Sequence, residues 1–246
     1  MQIAIFQNAD KGDAAKNIHH VHDAIVRQPG DFFVLPELFA MPGGDYFQHQ
    51  ALADHWRETG KPALEMLRDA SAHFEGFIVG GSILERTPQG FYNTCFVFHQ
   101  GRMVTKYRKI HITQDEVEMG ILPGSEIVSF QTPFGRAGLM ICADCLHEQT
   151  TDRIASGKTM VFLPTVALIQ PPHSGPSGHP VSKRIAAKHG AVVVKVSRVG
   201  TYNGHPIAGE SAVVCPDRVL FETKAKEELA VVDCSASLVH QGAGKK

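Results

Sequence analysis

Arg136-Ala137-Gly138-Leu139-Met140-Ile141-Cys142-Ala143-Asp144-Cys145 is the stretch from which the chain is read. Arg136 to Ile141 is a short apolar run, and it ends abruptly at a thiol followed by small and acidic residues. A cysteine where a buried strand breaks into a turn has a fixed backbone and a sulfur free to point outward, which suits a nucleophile. Cysteine is also among the most often buried residues, so plain packing competes with that reading. Working outward, Ile127–Phe130 forms a second strand across the Pro133-Phe134-Gly135 turn. His147–Ser156 reads as a helix ending at Gly157, and Met160–Leu163 as the next strand.

The same alternation runs through the whole chain. Ile3–Phe6 reads as a strand, and Asp13–Arg27 as a helix with Ala14, Ile18, Val21 and Ile25 at helical spacing. Phe32–Leu35 is a continuous apolar run, as in a strand covered on both faces. Lys61–Phe74 predicts a helix and Phe77–Leu84 a strand, followed by a hairpin of Asn93–Phe98 and Met103–Tyr107 across Gln100-Gly101. Downstream, a Pro/Gly/Ser/His-rich loop (Gln170–Pro180) precedes a helix over Val181–His189 and a valine-rich strand, Ala191–Val196. Ser211–Val214, Val219–Phe221 and Glu228–Val232 close the pattern, and residues beyond Ser235 read as a frayed tail. Interleaved helices and strands place the chain in the α/β class. With no linker or repeat, a single domain over residues 1–246 is expected.

Composition excludes several function classes. The chain has 246 residues, 43% of them hydrophobic and 20% charged, with a formal net charge of −1. That balance gives no electrostatic case for nucleic acid or an anionic membrane. The five cysteines (95, 142, 145, 215 and 234) are odd in number and irregularly spaced. The opening MQIAIFQNAD does not read as a signal peptide, so free thiols in a cytoplasmic, reducing setting are expected. No apolar run reaches the length of a membrane span. His19, His20 and His22 match no ligand spacing and read as surface residues, and neither a metal nor a cofactor is expected.

Three polar residues stand just past apolar strands, where α/β sites are built. Glu37 follows Phe32–Leu35 and a proline, Lys109 closes the basic segment Lys106–His111, and Cys142 follows Arg136–Ile141. Alone, Glu37 reads as a solvated loop carboxylate and the basic segment as an exposed strand end. Together they resemble the nitrilase superfamily of carbon–nitrogen hydrolases. The resemblance rests on LPELFAMPG around Glu37, KYRKIHIT around Lys109, PFGRAGLMICAD around Cys142, and SRVGTYNG followed by GES at residues 209–211. It implies a four-layer α-β-β-α sandwich, a Glu37-Lys109-Cys142 triad, and a second glutamate that braces the site. That glutamate is Glu116, seven residues after the lysine, with Glu118 as the fallback in this acid-rich segment. It also implies association into homodimers or larger assemblies.

The chemistry accounts for those residue types. Moving a thiol proton (pKa about 8.5) onto an unperturbed carboxylate (about 4.3) is uphill by roughly 6 kcal/mol. Burial of Glu37 and the Lys109 ammonium beside Cys142 are expected to narrow that gap. On this reading Glu37 takes the proton, Lys109 and the backbone N–H of Ala143 stabilise the oxyanion, and a thioester forms with release of ammonia or amine. Asp144 reads as the N-cap of a helix over Cys145–Ser156 and not as catalytic.

After the nucleophile, Leu146-His147-Glu148-Gln149 departs from the aromatic-Pro-Glu sequence usual in the family, and Pro171-Pro172-His173 stands where an aromatic-rich loop is common. With no long tail after Ser235, small amide or N-carbamoyl substrates are expected over nitriles, which the same triad would also serve. His147, His173, His179 and Arg198 are candidates for a substrate carboxylate. A rival reading takes Cys142-Ala143-Asp144-Cys145 as a C-x-x-C dithiol, or as a reversible disulfide that switches the hydrolase off. A zinc site fails because the remaining cysteines form no second pair.

Overall fold

A computed structural model of the chain describes residues 1–43, 51–166, 179–202 and 204–235. Two sheets pack face to face. The first has the order β15-β1-β2-β3-β5-β4, with β6 also paired to β5, over Thr94–His99. Its strands are β1 (Gln2–Gln7), β2 (Phe32–Val34), β3 (Phe77–Val79), β4 (Ile83–Thr87), β5 (Gly90–His99), β6 (Arg102–Arg108) and β15 (Glu228–Asp233). The second runs β14-β13-β10-β9-β8-β7, from β7 (Ser129–Thr132), β8 (Gly135–Leu139), β9 (Met160–Pro164), β10 (Val192–Val196), β13 (Ala212–Val214) and β14 (Val219–Glu222). A small hairpin, β11 (Val199–Tyr202) with β12 (His205–Ala208), stands apart from both.

Period-2 alternation in the first sheet sorts its side chains into two layers. Ile3, Ile5, Phe32, Val34, Val79, Cys95 and Val97 face the second sheet. Ala4, Phe6, Phe33, Leu35, Ile78, Phe96 and Phe98 face outward onto α1 (Ala14–Val26) and α2 (Lys61–Ser71). Between the sheets Phe32 meets Phe162 with ring centroids 5.2 Å apart, and Phe77 meets Phe130 at 5.9 Å. Helices α4 (Glu148–Ala155) and α5 (Pro180–His189) cover the second sheet. They lie so close that a Cβ on Gly138 would stand 2.8 Å from the Ile154 carbonyl oxygen. Helix, sheet, sheet and helix form the four layers expected. The remaining helix, α3 (Gln114–Glu118), belongs to the site.

Three expectations change. The run Phe77–Leu84 is two strands, β3 and β4, because the backbone bends at Gly80-Gly81. Gly81 has φ +58, and a Cβ there would lie 2.0 Å from the Pro36 carbonyl oxygen. Only glycine lets that turn pass beneath the loop carrying Glu37. The helix expected over Cys145–Ser156 begins at Glu148, after a 3-10 turn over Cys142–Leu146. Asp144 lies inside that turn rather than capping a helix. Leu52–Gly60 adds helical turns ahead of α2 that propensity did not signal. The tail after Ser235 and most of the loop Gln170–Pro180, His173 included, lie outside the described residues. No helix among the described residues is long and apolar enough to cross a membrane.

Candidate active site

The described residues of the cleft are Glu37, Lys109, Thr113, Gln114, Asp115, Glu116, Cys142, Val166 and Tyr202, around a cavity of about 130 Å³. Glu37, Lys109 and Glu116 come from the first sheet and its connections, and Cys142 from the end of β8 in the second. Sheet-to-sheet packing therefore assembles the cleft.

Lys109 is only 2% exposed. Its Nζ donates to Glu37 Oε1 at 2.9 Å and to Glu116 Oε2 at 2.8 Å. Burial opposes its charge, but the two carboxylates outweigh burial and hold the ammonium well above its ordinary range. Burial likewise pushes the Glu116 carboxyl up, and Lys109 with Asn93 more than reverses this, leaving it below the usual range. An ammonium has three N–H groups, so one is left to face the cleft.

Local chemistry sets Glu116 in place. Thr113-Gln114-Asp115-Glu116 is a capping box that opens α3. The Thr113 backbone N–H donates to Glu116 Oε2 at 2.8 Å, turning the carboxylate back toward Lys109. Glu118, the fallback, is exposed and accepts from Gln114 instead. Asn93, adjacent to Lys109 across β5 and β6, donates from Nδ2 to Glu37 Oε1 at 2.9 Å and to Glu116 Oε1 at 2.8 Å. Glu37 also accepts from the Val166 N–H at 3.1 Å, so its carboxylate is a buried group with three donors rather than a solvated one.

Cys142 has φ +42, a left-handed conformation unusual for a residue with a Cβ. The strand-to-turn elbow is therefore strained at the thiol itself. Asp144 supplies the hold. Its carboxylate accepts from the Ile141 N–H at 2.9 Å, the His111 N–H at 2.8 Å and the Tyr107 hydroxyl at 2.8 Å. Cys142 Sγ lies 3.7 Å from the Val166 carbonyl oxygen. Burial, reinforced by Glu37, pushes the thiol above its usual range, and the opposing pull of Lys109 is the smaller effect. Lys109 does pull the thiol down, as expected, but burial outweighs it and the net direction is up. Ala143 follows directly in the 3-10 turn, with its N–H among the first of that turn.

The loop after Glu37 is fastened from below. Arg198, fully buried, donates from Nη1 to the Leu38 carbonyl at 2.8 Å and from Nη2 to the Met41 carbonyl at 2.7 Å. Asn8 donates to the Phe39 carbonyl at 3.0 Å. Arg198 is therefore structural here rather than turned to a substrate, while His147 stacks on His111 at 3.5 Å. Sequence reasoning missed Asn93 and Tyr202. The T-x-x-E box was a readable sign for Glu116 and Tyr202 lies inside the SRVGTYNG block, whereas nothing local marks Asn93.

Cys142 and Cys145 are both free thiols, and burial pushes Cys145 up to about 12, a poor state for a resolving thiolate. Among the described residues no group of three or more His, Cys, Asp or Glu side chains is placed to hold a metal ion.

Comparison with known proteins places this geometry. The chain is 26% identical over 256 residues to the chloroplastic Omega-amidase of Arabidopsis thaliana, covering 97% of this chain and 69% of that protein. It is 37% identical over 120 residues to Omega-amidase NIT2 of Homo sapiens, covering 45% of this chain and 42% of that protein. The alignment with Hydrolase C26A3.11 of Schizosaccharomyces pombe, at 28% identity, spans 48% of that protein. Among solved structures, Nit3 of Saccharomyces cerevisiae, a member of branch 10 of the nitrilase superfamily, superposes with a TM-score of 0.80 at 22% identity. It covers 99% of this chain and 94% of the other. A mutant of the amidase from Nesterenkonia sp. AN1 in complex with butyramide gives 0.79 at 21% identity, covering 98% and 93%. The Carbon-nitrogen hydrolase family model matches residues 2–243, and the chain belongs to that family.

Proposed function

We propose that this hydrolase cleaves small amides through a thioester on Cys142, with Glu37 as acid–base, Lys109 and the Ala143 N–H as oxyanion donors, and Glu116 as the brace. The observation that carries the reading is the bridge from Lys109 Nζ to both Glu37 and Glu116, in one cleft with Cys142.

The steps follow from the charges. A protonated, buried thiol beside a carboxylate makes free thiolate costly, so proton transfer to Glu37 accompanies attack of Sγ on the amide carbon. The C–S bond forms as negative charge moves onto the carbonyl oxygen. The third N–H of Lys109 and the Ala143 N–H meet that charge, each such donor being worth about 3–4 kcal/mol in a water-poor site. Collapse breaks the C–N bond, and Glu37 returns its proton to the departing ammonia or amine. Glu37 then takes a proton from water as it attacks the thioester, and passes it to Sγ as the C–S bond breaks, giving the carboxylic acid and the free thiol. Glu116 and Asn93 keep Lys109 and Glu37 from shifting as charge moves.

The size of the cleft favours small acyl groups, and the amidases among the relatives favour amides over nitriles. Self-association through the outer helices is part of the same proposal. The test is ammonia release across a panel of amides, N-carbamoyl amino acids and nitriles, with Cys142→Ala and Glu37→Gln alongside. Release lost in both variants is expected. Turnover near wild type in either variant refutes the mechanism, and release from nitriles alone overturns the substrate class.

A further inference from the structure

One large side chain in the cleft takes no part in the chemistry proposed above. Tyr202, the last residue of β11, lines the cavity beside Val166 and the reacting groups. It packs against Leu38 and Met41, two buried residues of the loop that carries Glu37, and Met119 joins them from just beyond α3.

The hairpin that carries Tyr202 is fixed against the same loop. Arg198, immediately before β11, holds the Leu38 and Met41 carbonyls. The Val199 N–H donates to the Asn8 carbonyl at 3.1 Å. Gly43 approaches so closely that a Cβ there would stand 2.8 Å from Thr201 Oγ1. The ring therefore has a firm backing and a set position, as a wall that gauges a ligand must have.

The rest of the lining divides by chemistry. Glu37, Lys109, Glu116 and Cys142 are engaged with the reacting amide group. Thr113 is tied to Glu116 through its backbone N–H and its hydroxyl. Gln114 and Asp115 are exposed at the rim, where a solvated part of a ligand belongs. Among the described residues that leaves Val166 and the Tyr202 ring as the apolar surface able to receive an alkyl chain. Burial, with the charges of Glu116 and Glu37, holds the phenol well above its ordinary range, so the ring is neutral.

Resting on the amide-hydrolase reading above, we infer that the Tyr202 ring is the end wall of the acyl pocket and sets the longest acyl chain the enzyme accepts. In a cavity of about 130 Å³ a short chain lies against the ring, and a longer one must displace it from its backing. A single methylene in such a pocket is worth about tenfold or more in kcat/KM.

The test is kcat/KM for ammonia release from butyramide and hexanamide by wild type, Tyr202→Ala and Tyr202→Phe. Wild type is expected to prefer butyramide by at least about tenfold. Tyr202→Ala removes the wall and should shrink that preference by about tenfold or more, whereas Tyr202→Phe keeps the ring and should retain it. A loosened fold lowers both rates together, so a preference unmoved in Tyr202→Ala overturns the inference. An equal shift in Tyr202→Phe overturns it as well, because the hydroxyl would then be the determinant. Methylamine release from N-methylbutyramide separates the two ends of the amide. A gain in Tyr202→Ala confined to that substrate would put the ring on the leaving-group side and refute the acyl wall. If Tyr202→Ala does not fold, Tyr202→Val takes its place, and equal rates on the two amides in wild type refute the inference without any variant. Amide hydrolysis with no chain-length preference removes the wall and keeps the hydrolase. Ammonia release from no amide at all refutes the hydrolase reading and this inference with it.

Discussion

Two lysines are buried almost equally, Lys109 at 2% and Lys195 at 1% exposure, and their surroundings differ completely. Lys109 is met by two carboxylates at 2.9 and 2.8 Å and is held firmly charged. Lys195 has no hydrogen-bond partner among the described residues, and burial pushes its ammonium below the ordinary range. Depth alone therefore does not decide what a buried cation does. In the first sheet the charges are mutually satisfied, which rigidifies the reacting end. In the second a charge is held without a hydrogen-bond partner among the described residues, the costlier arrangement.

The comparison is broken most forcefully at Lys109. Lys109→Met leaves Glu37 and Glu116 buried without their cation, and is expected to cost about 3–5 kcal/mol of stability. Turnover should fall by at least about a hundredfold as well, as when one oxyanion donor is lost. Urea unfolding with ammonia release checks both, and a stable, active Lys109→Met protein contradicts the site as drawn. Arg198→Met comes next. It leaves the Leu38 and Met41 carbonyls without their donor and is expected to cost about 2–4 kcal/mol. Retention of near wild-type stability would show that the Asn8 bond suffices to hold the Glu37 loop.

Lys195→Met sharpens the contrast by its sign. Replacing an unmet buried ammonium with an apolar side chain of similar size is expected to be neutral or to stabilise by about 1–2 kcal/mol. A loss as large as that of Lys109→Met would mean Lys195 is paired in solution. The smallest effect concerns the thiol. Because burial and Glu37 hold Cys142 above its usual range, its thiolate fraction at neutral pH is below that of a free cysteine. Alkylation by iodoacetamide should be slow at pH 7 and still be rising at about pH 10, where a free thiol has levelled off. A plateau near pH 7 would show a pre-formed thiolate and would change the first step of the mechanism.

Much of this was legible in the sequence, for identifiable reasons. Phe32–Leu35 and Arg136–Ile141 are apolar runs ending at polar residues, so both the strands and the positions of Glu37 and Cys142 could be read. The Gln100-Gly101 turn was equally plain, since both residues take the positive φ that a two-residue hairpin requires. The break at Gly80-Gly81 was not, because the need for it comes from the Pro36 carbonyl of a distant loop. Asp144 has the composition of a cap, and only the fold brings Tyr107 and His111 to its carboxylate. Asn93 and Tyr202 lie in strands whose pattern concerns packing, and their place in the cleft is a product of sheet pairing. Lys195 interrupts a run of valines, so the sequence does mark it as a departure from pattern, but only the fold shows that its charge goes unmet.

The most direct test of the central claim is the mass of the intact protein during turnover. Acid quenching of the wild-type protein during turnover of an excess of amide should trap the thioester before water reaches it. The account predicts a mass increase equal to the acyl group of that amide, mapping to the peptide that contains Cys142 and absent in both Cys142→Ala and Glu37→Gln. An adduct on another residue, or ammonia release that continues in Cys142→Ala, would contradict it.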